Sequence, residues 1–281
     1  MKVISYVTEK TDSSRNLERS LQKYGYAYEF IGIGEKWEGF ITNKIYGYYR
    51  HLLHQPPGIY VIVDGYDMLA IHYPHILQNR YEKFKTPVVF GGEKFGFSYN
   101  SQPIRKYELE SFWNSRKYLN SGFCIGDREN LMKMYLWMIR NDNCGDDQKM
   151  ACIYANLYPK LVSVDISSKL VFNTITSIDT NNYRLFGNRM LIHSTNTYPC
   201  FVHFPSNSSD AYERYNEYGS VVLKTDFIPH TGKKSWNYFA NRTLYNSCFF
   251  ILFVLVFILF GKHGILTLLG LGFSLYRKYL V

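Results

Sequence analysis

A short apolar run that ends in two aspartates constrains this chain most: Ile59–Val63 is followed by Asp64-Gly65-Tyr66-Asp67. A β-branched run of this length is typical of a fully buried strand, and the glycine indicates a turn after it. Two carboxylates at the carboxyl edge of a buried strand can bind one divalent cation together with a diphosphate. Because Asp and Gly also end strands as ordinary turn residues, the motif alone is equally consistent with a structural turn.

Strands alternate with helices in the first third of the chain. The pattern predicts the strands Val3–Val7, Tyr28–Ile31, Ile59–Val63 and Val88–Phe90. It predicts the helices Ser13–Tyr24, Ile41–Leu53 and Ile76–Phe84. Asp12 or Ser13 is the expected N-cap of the first helix, and Gly25 stands where a C′ glycine belongs. This alternation predicts an α/β layer with a mainly parallel central sheet.

The second half of the chain is less regular. There we predict two helices and three short strands: Arg128–Arg140, Asp147–Ala155, Leu161–Val164, Met190–Ile192 and Phe201–His203. The stretch Pro205–Ser235 is polar and rich in tyrosine, and we interpret it as a linker or lid. The expected organisation is therefore a folded domain over 1–207, a polar linker or lid over 208–243 and a hydrophobic segment over 244–281.

Charge and cysteine content narrow the class of protein. The formal net charge is +9, but Lys and Arg are scattered and form no run that resembles a nucleic-acid arm. We therefore expect no nucleic-acid partner. The five cysteines lack C-x-x-C spacing, so neither a zinc site nor a disulfide framework is predicted, and buried reduced thiols are expected.

The C-terminal segment is strongly apolar. Phe249–Phe260 carries no charge, Gly261–Gly264 interrupts it with Lys262 and His263, and Ile265–Tyr276 is apolar again. Since a spanning helix needs about 20 apolar residues and a buried lysine is costly, we expect one span or a hairpin as a membrane anchor. A buried core helix is the alternative. Because this segment comes last, we expect insertion by the tail, with the folded domain facing the cytoplasm.

A set of short motifs occurs in a fixed order along the chain. The motifs are Val7–Thr11, Gly34–Trp37, Val63–Asp67, Val89–Glu93, Tyr118–Gly126, Asp146–Gln148 and Val202–His203. In this order they resemble the glycosyltransferase domain of the procollagen lysyl hydroxylase and procollagen glycosyltransferase family. The resemblance extends over about residues 3–207 and implies a GT-A fold, a Rossmann-like α/β domain that binds a UDP-sugar through a divalent metal.

The resemblance implies a metal site made of Asp64, Asp67 and His203. Carboxylates suit a hard cation, and an imidazole favours manganese over magnesium, which is the alternative ion. The ion would bridge the diphosphate and neutralise charge on the departing UDP. Without the resemblance, His203 would be interpreted as an ordinary core or surface histidine.

The resemblance also implies a set of nucleotide-sugar contacts. They are Val7, Thr8, Trp37, Tyr66, Arg50 or His51 as a cation for the diphosphate, and the Asn120-Ser121-Gly122 loop. Trp37 and Tyr66 match positions that flank the uracil, and an aromatic face supplies stacking area at low entropic cost. Ordinary packing in an aromatic-rich chain is the alternative for both rings.

Asp146 and Asp147 precede a predicted helix, where an N-cap and a first-turn acid are favourable. The resemblance gives them a second role near the anomeric carbon, as an acceptor base or a stabiliser of positive charge. The implied function is transfer of a hexose from a UDP-sugar to a hydroxyl of a hydroxylysine-like side chain or a glycan. Alternatives are a transferase that uses a different nucleotide-sugar and an inactive, membrane-tethered binding module with the same fold.

Overall fold

The computed structural model describes residues 1–94, 104–107, 116–174, 183–205 and 209–229. All of them belong to one compact unit, Met1–Gly232. Within these residues, no helix is both long enough and apolar enough to cross a bilayer. The predicted anchor, 244–281, lies outside the described residues, so it stays a prediction.

The described residues contain eleven strands and six α-helices. The strands are β1 (Lys2–Tyr6), β2 (Tyr28–Ile31), β3 (Ile59–Asp64), β4 (Met68–Ala70), β5 (Val88–Glu93), β6 (Tyr118–Asp127), β7 (Val162–Asp165), β8 (Val171–Asn173), β9 (Tyr183–Phe186), β10 (Arg189–Ile192) and β11 (Phe201–His203). The helices are α1 (Asp12–Lys23), α2 (Tyr46–Leu53), α3 (Pro74–Tyr81), α4 (Arg128–Asn141), α5 (Asp147–Leu157) and α6 (Ser209–Leu223). A π-helical turn, Phe40–Ile45, precedes α2.

The central sheet has the strand order β2-β1-β3-β6-β5-β7. The pairs β1–β2, β1–β3 and β5–β7 are parallel, whereas β6 is antiparallel to both β3 and β5. The sheet is therefore mixed: five of its six strands point the same way, as predicted for a mainly parallel sheet, and β6 alone runs in the opposite direction. Strand β6 was not predicted because its first half, Tyr118–Gly122, contains Asn, Ser and Gly and does not resemble an apolar strand.

Alternating residues of the central strands pack into two separate apolar layers. Val3 and Val61 face one layer, and their neighbours Ile4 and Ile62 face the other. Apolar residues of α1, α3 and α6 complete the first layer, and those of α2, α4 and α5 complete the second. Because side chains alternate along a strand, this two-sided burial explains the continuous apolar run that ends at Asp64.

The observed ends of α1 lie close to the positions that local sequence signals predict. Thr11 is the N-cap, and its side chain accepts a hydrogen bond from the Ser14 backbone N–H. The cap thus lies one residue before the predicted Asp12 or Ser13, and Asp12 is instead the first helical residue. Gly25 follows the helix with φ +74°, as expected for a C′ glycine.

Helix α6 occupies much of the stretch that was predicted to be a linker or lid. Tyr215, Tyr218 and Val222 recur on one helical face and are buried in the first apolar layer. Phe204 contacts the rings of both tyrosines. The linker interpretation fails for 209–223 because tyrosine, which looks polar in composition, here supplies the apolar face of a helix.

A second sheet has the order β4-β11-β8. His203 at the end of β11 is paired in register with Met68 on β4 and with Asn173 on β8. The chain passes from the central sheet to this sheet directly, through the turn between β3 and β4. The two sheets therefore meet at the Asp64–Asp67 turn.

Candidate functional site

Asp64, Asp67 and His203 come together at the junction of the two sheets. Asp64 is the last residue of β3, Asp67 immediately precedes β4, and His203 is the last residue of β11. One potential ligand atom from each residue lies within 4.8 Å of the others. The His203 Nε2 atom is 3.3 Å from Asp67 Oδ1 and 3.7 Å from Asp64 Oδ2. The structure thus brings together all three predicted metal ligands.

Asn173 fixes the orientation of the His203 ring. The Asn173 side-chain nitrogen donates to the Gly92 carbonyl at 2.9 Å, so its Oδ1 atom is the acceptor that lies 2.8 Å from His203 Nδ1. His203 Nδ1 must therefore carry the proton in this contact. In the neutral ring, the lone pair then resides on Nε2, which faces the two aspartates. Metal-ligating histidines are commonly held in this way by a second hydrogen bond.

The three groups fit a divalent cation. His203 is fully buried, and its Nε2 atom makes no well-aligned hydrogen bond. Burial lowers the pKa of His203, but the carboxylates of Asp67 and Asp64 outweigh it and leave the pKa raised. The arrangement is therefore satisfied either by a proton on Nε2 or by a cation among the three groups. Two carboxylates and one imidazole are a donor set that suits a divalent cation.

Gly122 leaves the space that this cluster needs. A Cβ atom at this position would lie 2.2 Å from His203 Cε1 and 2.9 Å from Asp64 Oδ2. Gly122 belongs to β6, whose residue Phe123 is paired with Val63 on β3. The predicted Asn120-Ser121-Gly122 loop is therefore part of a strand, and its glycine is the close neighbour of two of the three metal-ligand candidates.

Lys44 is a buried cation that the sequence analysis did not identify. Its Nζ atom lies 2.6 Å from Asp64 Oδ1 and 2.8 Å from Asp147 Oδ2. Burial lowers the pKa of Lys44, but Asp147 and Asp64 outweigh it and leave the pKa well above its usual value. The predicted helix Ile41–Leu53 in fact begins as the π-helical turn, which includes Lys44.

The first turn of α5 forms the opposite wall of the site. Asp146 is the N-cap, and its side chain accepts a hydrogen bond from the Lys149 backbone N–H. Asp147 is buried and ion-paired with Lys44. The Gln148 side-chain oxygen accepts from the Ser121 backbone N–H at 3.2 Å, which joins this helix to β6. The expected N-cap role is therefore confirmed for Asp146, while Asp147 takes part in the charged cluster.

Glu93 lies behind this wall and is buried. It accepts hydrogen bonds from the side chains of Asn120 at 3.1 Å and Gln148 at 3.0 Å. Burial raises the pKa of Glu93 to about 7, although these two hydrogen bonds act in the opposite direction. Glu93 therefore holds the amides of Asn120 and Gln148, both of which line the site.

These residues enclose one open cavity of about 360 Å³. It is lined by Phe40, Lys44, Asp64, Asp67, Asn120, Ser121, Gly122, Asp146, Asp147, Gln148, His203 and Pro205. Its size lies in the range of small-molecule sites. Carboxylates, one ammonium group and amides around a candidate metal cluster can bind a phosphate-bearing, hydroxyl-rich ligand.

Only some of the predicted nucleotide-sugar contacts, those in Asn120-Ser121-Gly122, line this cavity. The Thr8 backbone N–H donates to the Tyr66 hydroxyl at 3.0 Å, so the end of β1 and the Asp64–Asp67 turn are joined. Val7 is buried, and Trp37 and Tyr66 are 45% and 38% exposed. The Trp37 ring contacts Tyr6 and Phe40. Two exposed aromatic rings are thus present, and their contact with a base stays a prediction.

Arg50 and His51 line a separate cleft of about 340 Å³. Arg50 is paired with Glu35 at 3.0 Å, and His51 Nε2 lies 3.3 Å from Glu29. Neither residue lines the cavity at the metal-ligand candidates, where Lys44 is the cation instead. Their assignment to the diphosphate stays a prediction.

The chain belongs to a family of glycosyltransferase domains. The family model described as "PLOD GT domain" matches residues 1–224. The match includes α6, which the expected boundary at residue 207 had left out.

Individual relatives are similar at modest identity. Procollagen-lysine,2-oxoglutarate 5-dioxygenase 1 of Gallus gallus is 26% identical over 144 residues, which is 47% of this chain and 19% of the relative. The multifunctional procollagen lysine hydroxylase and glycosyltransferase LH3 of Rattus norvegicus is 24% identical over 221 residues, or 72% of this chain and 29% of the relative. The chain thus spans less than a third of the length of either protein.

A solved structure of a glycosyltransferase involved in the glycosylation of the major capsid of PBCV-1 is also similar. The TM-score is 0.43 at 11% identity, and the match covers 77% of this chain and 98% of that chain. A second structure, A197 from STIV, gives a TM-score of 0.41 at 13% identity, over 71% of this chain and 92% of that chain.

Proposed function

We propose that this chain is a metal-dependent glycosyltransferase that transfers a hexose from a UDP-sugar to a hydroxyl acceptor on a protein or a glycan. The observation that carries the proposal is the cavity in which Asp64, Asp67 and His203 face Lys44 and Asp147. Membership of the PLOD GT domain family supports the transfer reaction. The relatives have names that refer to procollagen lysine, and this supports a protein hydroxyl as one acceptor class.

Asp64, Asp67 and His203 would hold the metal, manganese before magnesium. When bound, such an ion supplies Lewis-acid stabilisation of the charge that develops on a departing diphosphate. The contribution of the chain is to keep His203 Nε2 directed at the two carboxylates, through the Asn173 hydrogen bond. Gly122 keeps the space beside them open.

Lys44 gives the diphosphate subsite a fixed positive charge. Its Nζ atom is held between Asp64 and Asp147 before any ligand arrives, so little reorganisation is needed when a phosphate oxygen approaches. A buried ammonium group also interacts more strongly with phosphate than an exposed one does. In this proposal Lys44 is the cation nearest the metal-ligand candidates, and Arg50 or His51 stays the alternative contact for the diphosphate.

The polar wall made of Asn120, Asp146, Asp147 and Gln148 would bind the hydroxyls of the hexose. Glu93 keeps Asn120 and Gln148 in place by accepting hydrogen bonds from their side-chain amides. A carboxylate of this wall, Asp146 or Asp147, would deprotonate the acceptor hydroxyl or stabilise positive charge at the anomeric carbon. Trp37 and Tyr66 would contact the uracil beside Val7 and Thr8.

Two parts of the proposal concern the cell rather than the site. Residues 244–281 would anchor the protein in a membrane, and the catalytic domain would face the cytoplasm. Protease treatment of sealed vesicles tests this orientation, since a domain on the outer, cytoplasmic face should be digested. Full protection of the domain would contradict it.

The first experiment is UDP release from a panel of UDP-sugars by the full chain, with Mn²⁺ and with a chelator. We expect release from one donor in Mn²⁺, loss of release in chelator, and loss of release in Asp67→Asn. Asp226→Asn is a matched control because Asp226 lies in the short turn after α6 and does not line the cavity. Equal turnover of Asp67→Asn and the parent across a Mn²⁺ titration would refute the metal assignment.

If the parent neither releases UDP nor binds UDP in Mn²⁺, the alternative of an inactive binding module is favoured. If it binds UDP but hydrolyses none of the donors, the same experiment is repeated with a hydroxylysine-containing peptide and with an oligosaccharide. Continued silence with both acceptors would favour a transferase that uses a different nucleotide-sugar.

A further inference from the structure

Phe40 is an exposed aromatic residue in a cavity whose other lining residues are mostly polar. Its side chain is 47% exposed, so burial of its own surface does not explain its position. The ring lines the same cavity as the metal-ligand candidates and the first turn of α5. No motif in the sequence analysis singled it out. An exposed apolar ring at a binding cavity is suited to contact a ligand that has an apolar face.

The π-helical turn places Phe40 and Lys44 on the same side. In such a turn the hydrogen bonds run from residue i to i+5, so two residues four positions apart are almost one turn apart. Both side chains reach the cavity, and Lys44 Nζ lies 5.7 Å from the centroid of the Phe40 ring. Turns of this type occur often at functional sites.

Asn43 and Gly39 hold the loop that leads into this turn. The Asn43 side chain accepts from the Gly39 backbone N–H at 3.1 Å and donates to the Lys36 carbonyl at 3.0 Å. Gly39 has φ +149°, a conformation that favours glycine. Trp37 packs edge-on against the Phe40 ring with centroids 5.2 Å apart. The ring is therefore positioned before a ligand binds.

The cavity that Phe40 lines contains the groups to which the proposed function assigns the diphosphate and the hexose. Trp37 and Tyr66, the residues assigned to the uracil, do not line it. Phe40 instead shares it with Lys44 on its own turn and with Asp146, Asp147 and Gln148 on α5. One wall of the cavity is thus an aromatic face, and the other carries hydroxyl-binding groups.

We propose that Phe40 forms the apolar wall of the donor-hexose subsite and helps to determine which UDP-hexose is accepted. A pyranose has C–H groups on its ring faces and hydroxyls around its edge. The C–H groups of one face would pack against Phe40, while the hydroxyls bind the carboxylates and amides opposite. This inference rests on the proposed function.

The test compares Phe40→Ala with the parent by calorimetric titration in Mn²⁺, once with UDP and once with the UDP-hexose that the panel identifies. We expect UDP-hexose binding to weaken about tenfold, which is the scale of one aromatic contact. UDP binding should change by less than about twofold, because UDP has no sugar in the Phe40 subsite. Phe40→Tyr should retain the affinity of the parent for the UDP-hexose.

Phe186→Ala is the matched control, since Phe186 is also 47% exposed but belongs to β9 and does not line the cavity. It should alter neither titration. Equal UDP-hexose affinity of Phe40→Ala and the parent would overturn the proposal while leaving the proposed function intact. An equal loss for UDP and UDP-hexose would also overturn it, because Phe40 would then act through Trp37. Failure of the parent to bind either ligand would refute the proposed function, and the Phe40 proposal with it.

Discussion

Among substitutions in the charged cluster, we expect Lys44→Met to cause the clearest loss of stability. The change keeps most of the aliphatic stem but removes the charge that lies 2.6 Å from Asp64 and 2.8 Å from Asp147. The side chain of Lys44 is 9% exposed, and those of Asp147 and Asp64 are 7% and 30% exposed. Asp147 therefore loses its ionic partner in a site where water cannot replace it well.

The magnitude follows from the burial of the partners. Removal of one member of a buried ion pair typically costs about 3–5 kcal/mol. Because Asp64 is partly exposed and can be hydrated, we expect the lower end, about 3 kcal/mol, for Lys44→Met in chelator at neutral pH. In a folded unit of this size, this corresponds to a fall in Tm of roughly 6–12 °C.

The assay is urea unfolding of the full chain, followed by tryptophan fluorescence and circular dichroism. Lys133→Met is the matched control, because Lys133 pairs with Glu129 on α4 and these side chains are 62% and 74% exposed. An exposed pair of this kind should contribute less than about 0.5 kcal/mol. If Lys44→Met lowers the free energy of unfolding no more than Lys133→Met does, Lys44 is not the neutralising partner of Asp147 and the reasoning is refuted.

Two further predictions concern residues behind the metal-ligand candidates. Asn173→Ala should weaken Mn²⁺ binding about 10–100-fold in a calorimetric titration, because His203 loses the hydrogen bond that directs Nε2; unchanged affinity in a folded variant would contradict this. For Glu93, whose pKa is raised to about 7, the unfolded chain ionises first as pH rises above about 4.3, so the free energy of unfolding should fall by about 3 kcal/mol up to pH 7. Glu93→Gln should abolish this dependence in urea titrations between pH 4 and 8, and an identical slope in both proteins would contradict the prediction.

The sequence was sufficient to predict those parts of the site that depend on local signals. The apolar run and its turn place Asp64 at the end of β3 and Asp67 in the turn that follows, and the short strand Phe201–His203 was predicted with the observed bounds. The proximity of His203 to the two aspartates came from the family resemblance. No local pattern brings the end of β11 beside the turn that follows β3.

Lys44, Glu93 and Asn173 show why the remainder could not be predicted. Each is a single polar residue within or beside an apolar segment, and its role depends on a partner that is distant in the sequence. Lys44 meets Asp147, Glu93 meets Gln148, and Asn173 meets His203 only after the sheets have formed. The order and register of the strands determine which partners these residues meet. This order includes β6, which was not predicted and which lies between β3 and β5.

The Lys44→Met variant also distinguishes two roles of Lys44, its effect on Mn²⁺ binding and its effect on UDP binding. In the parent, Lys44 reduces the repulsion among carboxylates that would otherwise oppose folding without a cation. It also occupies one oxygen of Asp64 and repels a divalent ion nearby. Lys44→Met should therefore bind Mn²⁺ at least several-fold more tightly than the parent does. Bound Mn²⁺ should also restore part of the lost stability, because a ligand of the native state stabilises that state.

UDP binding in Mn²⁺ should weaken at the same time, since the diphosphate loses its fixed positive charge. Weaker Mn²⁺ binding in the variant would instead mean that Lys44 holds Asp64 in its liganding position, and the electrostatic account of the cluster would be wrong.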